Sequence, residues 1–126
     1  MHDESGGVAV AGFYDRVRLL SGEERADFAR LPHSEEDYKK LATVDHLWGE
    51  PDYSPAERLG ARPTLEINGM LSGFTGKGQK TVLPAYAMEK ISCRLVPDQN
   101  PDEIYALLKD FIAAKAPKTW WPPCFW

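Results

Sequence analysis

The sequence predicts an α+β fold, and three observations carry that expectation. Thr64–Asn68 and Tyr86–Val96 alternate with period two, as half-buried strands do. Ile104, Leu107, Leu108, Phe111 and Ile112 recur at i, i+3, i+4, i+7 and i+8, which draws one apolar stripe along a helix. The order strand, loop, strand, strand, helix, with a sheet apolar on one face only, suits an antiparallel sheet layered with helices on one face.

The chain changes character near Arg62. Upstream it is polar and punctuated by helix starts. Val8 to Tyr14 is a brief apolar stretch containing Gly12. Ser21-Gly22-Glu23-Glu24 has a hydroxyl at the cap position and a carboxylate three residues on, so a short helix is expected over 21–31, ended by Pro32. Ser34 followed by Glu35, Glu36 and Asp37 starts a second helix, with acids where the helix dipole favours them. Tyr38, Leu41 and Ala42 give that helix an apolar side. Ser54-Pro55-Ala56-Glu57 starts a third, with proline at the first helical position. Helices this short need something to pack on.

Downstream of Arg62 the strands begin. Four glycines between Gly69 and Gly78 predict a loop, Lys80–Leu83 a short strand stopped by Pro84, and Tyr86–Val96 the longest strand. Ile91, Cys93 and Leu95 share one face of that strand and predict its core side; Lys90, Ser92 and Arg94 share the other. Asn100 caps the last helix, Pro101 opens it, Asp102 and Glu103 fill its first turn, and Pro117 closes it. Residues 119–126 form an atypical tail rich in tryptophan and proline, in which Pro122-Pro123 excludes a central strand.

Composition narrows the function. At 126 residues the chain has room for one domain, and 43% apolar residues are enough to fill a core. A net charge of −4 lacks the basic footprint of a nucleic-acid binder and suits an anionic membrane surface poorly, so neither partner is expected. No signal-peptide pattern or membrane-length apolar run is visible, and two cysteines make no disulfide framework; a cytoplasmic setting is the expectation.

The chemical motifs are sparse. His2, His33 and His46 are the only histidines, and neither H-E-x-x-H nor C-x-x-C occurs. Catalytic zinc needs three convergent protein ligands, so no metal ligand and no catalytic residue is assigned in this chain. Gly73 to Thr81 resembles a phosphate-binding loop, but Gln79 breaks the spacing and no helix start follows. Ser72 sits outside any nucleophile-elbow pattern, and Cys93 on an apolar face reads as an inert thiol. Arg94 is more informative. A guanidinium on the polar face of a strand can hold a carboxylate with two parallel hydrogen bonds. It can also be a solvated arginine paired with Glu66 or Glu89, which on residue chemistry alone is the simpler reading.

A resemblance enters at Arg62-Pro63-Thr64-Leu65-Glu66-Ile67-Asn68-Gly69, at Gly76-Lys77-Gly78-Gln79-Lys80-Thr81-Val82-Leu83-Pro84-Ala85, and at Lys90-Ile91-Ser92-Cys93-Arg94-Leu95-Val96-Pro97. In this order they resemble the dimerisation domain of the zinc aminoacylase and carnosinase-type peptidases, which include dipeptidases, acetylornithine deacetylase and succinyl-diaminopimelate desuccinylase. The stretches Gly12–Arg18 and Tyr53–Arg62 resemble the long-insert dipeptidase branch, so the resemblance covers roughly residues 8 to 118. It implies a ferredoxin-like lid that pairs two subunits and closes over the substrate of a catalytic domain carrying two zinc ions. On that reading residues 1–61 are a helical insert with the N-terminal part of the lid, and 62–118 are its core. The position matching Arg94 binds the substrate carboxylate, and the position matching Thr81 touches substrate, typically from the neighbouring subunit. A peptide or acyl-amino acid is the implied substrate.

Two departures follow from the same resemblance. The opening strand with its H-S-G motif has no counterpart, and the tail stands where a closing strand belongs, so the lid is expected to be truncated at both ends and inactive alone. The alternative is a free-standing ferredoxin-like module that binds a small ligand or a protein, with Trp120, Trp121 and Trp126 as an anchor patch. A sheet with unpaired edges predicts self-association or marginal stability of the chain by itself. Denaturant melting with sedimentation tests this: association or a shallow transition is expected, and a monodisperse, strongly cooperative monomer contradicts it.

Overall fold

The computed structural model describes residues 1–118, so the tail and its tryptophans lie outside the described residues. Among the described residues, four helices and a two-stranded antiparallel sheet make an α+β fold, as expected. The chain gathers into two compact units. One holds Met1–Pro63 together with residues 95–118; the other is Thr64–Arg94.

Three serines start three helices in the first unit. Helices α1 (Gly22–Ala29), α2 (Glu35–Ala42) and α3 (Pro55–Ala61) are capped by Ser21, Ser34 and Ser54. Each hydroxyl accepts from the backbone N–H three residues on, while Glu24, Asp37 or Glu57 accepts from the cap's own N–H. Two donors that the first turn would leave orphaned are thereby satisfied at each start. Leu41 of α2 is 83% exposed, so the apolar side expected for this helix does not reach a core. Helix α1 packs on α3, where Gly60 makes room for Phe28: a Cβ there would lie 2.7 Å from the Phe28 ring.

The core of this unit forms around the apolar stretch Val8–Tyr14. Val8, Val10, Phe13, Ala56 and Ile104 are buried. The Val8 N–H donates to Tyr14 Oη at 2.9 Å, and buried Gln99 donates through Nε2 to the Phe13 carbonyl at 2.7 Å. Helix α4 (Pro101–Lys115) starts at Asn100, whose Oδ1 accepts from the Asp102 N–H. Its stripe falls as predicted, with Ile104 buried and Leu107, Leu108, Phe111 and Ile112 half-buried. Leu107 approaches Gly12 so closely that a Cβ there would stand 3.3 Å from its Cδ1, and Gly12 holds φ +82°, a second reason for glycine.

Arg62 is buried within a polar cluster of this unit. Arg62 donates Nε and Nη2 to Glu50 at 2.8 and 2.6 Å, and its guanidinium lies 4.2 Å from the Tyr53 ring centre and 5.1 Å from that of Tyr14. Paired charge, two parallel hydrogen bonds and two aromatic faces together offset the cost of taking a guanidinium out of water.

In the second unit, strands β1 (Thr64–Ser72) and β2 (Ala87–Arg94) pair from Thr64↔Arg94 to Ser72↔Ala87. The strand expected over Lys80–Leu83 is not formed; residues 73–86 are an irregular connection. β1 runs on to Ser72, past the glycine expected to end it. The register shifts between Ile67 and Gly69, which leaves Asn68 as the extra residue of a bulge. The bulge keeps Leu65, Ile67 and Met70 on one face although their spacing breaks strict alternation. Ile91 and Cys93 share that face and are half-buried rather than core, while Leu65 is fully buried.

Two expected outcomes follow. Arg62→Ala leaves Glu50 unpaired in a largely buried position and lowers stability by about 3 kcal/mol in urea melts; a loss below about 0.5 kcal/mol would remove the cluster's structural role. At α1, the Arg18 guanidinium and then the Ser21 backbone hold the Glu24 carboxyl at about 2 instead of 4.5. A depressed carboxyl contributes stability that is full above its unfolded value and is lost as pH falls through the folded one, so the Ser21 cap weakens between about pH 4.5 and 2. Carbon-detected titration of Glu24 should find its midpoint near the lower figure, and a midpoint at the upper one contradicts the cap.

Candidate functional site

The hairpin carries both residues that the sequence singles out. On β2, Lys90, Ser92 and Arg94 are exposed and share a face; on β1 the register adds Thr64 and Glu66 to it. Arg94 stands opposite Thr64 at the open end of the ladder. Glu66, opposite Ser92, is its diagonal neighbour on this face, whereas Glu89 points to the other face, so of the two acids considered as partners only Glu66 shares the Arg94 side.

Thr81 is exposed in the connection 73–86. That connection leaves from the rung Ser72↔Ala87, the end of the ladder opposite Arg94. β2 is eight residues long, which sets its two ends about 23 Å apart. Arg94 and Thr81 therefore issue from opposite ends of one hairpin.

A third feature of this face comes from the bulge. Asn68, put out of register by the bulge, donates from Nδ2 to Ser92 Oγ at 2.8 Å. Next to it Gly69 lies under Lys90, whose Cδ would sit 3.2 Å from any Cβ placed there. The signal was present in Asn68-Gly69, a pair common where backbone departs from a regular ladder, but it read as the start of a loop. On the opposite face burial pushes the Cys93 thiol up, and Glu66 adds to the shift, so the thiolate that would make it reactive is disfavoured.

Other motifs find no chemistry. Gly73 and Gly78 take positive φ, and the chain after Thr81 continues without a helix, so no helix start aims amides at a phosphate. Among the described residues no group of three or more His, Cys, Asp or Glu side chains converges as a metal site requires. A zinc pair does not fit the donors described here. No helix among the described residues is long and apolar enough to cross a membrane.

Known proteins resemble this chain over most of its length. Residues 16–119 match the model of the peptidase dimerisation domain. The beta-Ala-His dipeptidase of Rattus norvegicus is 30% identical over 102 residues, 81% of this chain and 21% of that protein. The Cys-Gly metallodipeptidase of Schizosaccharomyces pombe is 28% identical over 109 residues, 86% of this chain and 23% of its own length. Among solved structures, human carnosine dipeptidase 1 superposes with a TM-score of 0.75 at 28% identity, over 89% of this chain and 24% of that one. A metallo-carboxypeptidase of the M20 family from Sulfolobus solfataricus gives 0.69 at 38% identity, over 86% of this chain and 28% of that one. The chain thus spans less than a quarter of the curated relatives named here. A single family model covering most of the sequence, and solved relatives that share the fold, lead to one assignment: this chain belongs to the peptidase dimerisation domain family of the dipeptidase-type metallopeptidases.

Proposed function

We propose that the chain serves as the substrate-facing, subunit-pairing lid of a dipeptidase-type metallohydrolase whose metal-binding groups lie elsewhere. The observation that carries the proposal is Arg94, exposed on the polar face at the end of a strand, in a chain of this family. Its role is to fix the terminal carboxylate of a peptide or acyl-amino acid. Two parallel charge-assisted hydrogen bonds give both energy and direction, which an ammonium group in its place would not.

Thr81 supplies a hydroxyl contact to the same substrate. Because it leaves from the far end of the hairpin, the contact is best supplied across a subunit boundary, to the Arg94 site of a second copy. Pairing of subunits draws on the apolar residues that the hairpin exposes, among them Met70, Leu83 and Tyr86 at 73%, 91% and 71%. A catalytic domain would hold two zinc ions, whose chemistry would be to activate water and polarise a carbonyl; this chain would contribute binding and closure. With a net charge of −4, neither nucleic acid nor membrane is its partner.

Titration of the isotopically labelled chain with an N-acetylated dipeptide, as free acid and as C-terminal amide, tests the role of Arg94. The free acid should shift resonances around Arg94 and bind about fivefold more tightly than the amide, and Arg94→Ala should erase the difference. Equal binding of acid and amide, or an unchanged preference in Arg94→Ala, overturns the proposal.

A further inference from the structure

We infer that the Asn68–Ser92 pair is a specificity-determining element of the Arg94 face, reading an amide side chain on the residue whose carboxylate Arg94 holds. The inference rests on the proposed role of Arg94 and goes beyond it by naming the substrate class.

Three observations build this subsite. The bulge puts Asn68 out of register and sets its Nδ2 on Ser92 Oγ at 2.8 Å, so the two side chains form one unit. Ser92 lies two residues from Arg94 on the same face, about 7 Å along the strand, which is the scale that separates a main-chain carboxylate from the side-chain amide of the same residue. Beyond the pair, Lys90 lies across Gly69 closely enough that a side chain at that position would displace it. Glycine at 69, paired with Lys90, and asparagine at 68, left out of the register, together shape the row.

The chemistry of the pair selects its ligand. With Nδ2 already donating once, Asn68 retains a carbonyl oxygen and a second N–H, and the Ser92 hydroxyl retains its proton. One acceptor and two donors in a row complement a primary amide, which offers both. The charges on either side balance: Glu66 opposite Ser92 repels an acidic side chain, and Lys90 repels a basic one. An apolar side chain would cover the pair's polar groups without replacing their water.

The test compares N-acetyl-glycyl-glutamine with N-acetyl-glycyl-methionine, which are close in shape, each as free acid and as C-terminal amide. Binding is followed on the labelled chain and on Ser92→Ala and Ser92→Thr, exposed strand positions that keep the fold. The chain should bind the glutamine acid about threefold more tightly than the methionine acid, the value of one neutral hydrogen bond. Ser92→Ala should bring that ratio to one, and Ser92→Thr should restore it. A ratio of one in the unaltered chain, or a ratio that survives Ser92→Ala, overturns the inference while leaving Arg94 in place. If neither acid binds more tightly than its amide, the Arg94 reading has failed and this one falls with it.

Discussion

Arg62 is a charged residue that water scarcely reaches, and its guanidinium is engaged on several sides at once. Glu50 takes two of its N–H groups, and the rings of Tyr14 and Tyr53 lie over it. These four residues come from three places in the chain: the apolar stretch that holds Phe13, the turn before α3, and the end of α3 itself. None of those segments is stable alone, since the helices are only one or two turns long. The ion pair fixes them to one another. It is costly to break because either partner would be left buried and unpaired. Tyr53 also receives Arg25 over its ring, and Arg25 reaches buried Glu57, so the same cluster extends to α1. Gly6 lies so close to Gly49 that a Cβ would come within 2.8 Å of its backbone, which brings the N-terminal turn against the segment that presents Glu50.

Much of this was legible in the sequence, and the reason is locality. A serine followed three residues later by an acid predicts a capped start, and all three such starts are helices. The stripe from Ile104 to Ile112 predicts which residues of α4 turn inward because helix period and burial are set within a few residues. What was not legible depends on partners far along the chain. Arg62 served only as the edge of a recognisable stretch, for nothing near it in sequence announces Glu50 or Tyr14. The bulge at Asn68 hid the continuation of β1, because one extra residue breaks the alternation by which a strand is read. Lys80–Leu83 has the residues of a strand, but a strand needs a neighbour to pair with, and local preference yields to that requirement.

Of the site residues, Arg94 was placed on the polar face by alternation alone, and the register agrees. Thr81 came from resemblance, and its position at the far end of the hairpin could be learned only from the pairing. The face presents a guanidinium, hydroxyls, an amide and a balancing acid, and among the described residues no cluster of ligands able to hold an ion. Groups of this kind position a substrate and discriminate among substrates. They do not generate a nucleophile from water, which at neutral pH calls for a metal or a well-placed base.

This division of labour can be tested on the chain as it stands. Purified chain is incubated with zinc and a dipeptide, and release of free amino acid is compared with a blank of zinc and dipeptide alone. Equal rates are expected in the two. Turnover above the blank that depends on the chain would contradict it, and would require that this polypeptide itself assemble the donors that bind and activate the metal.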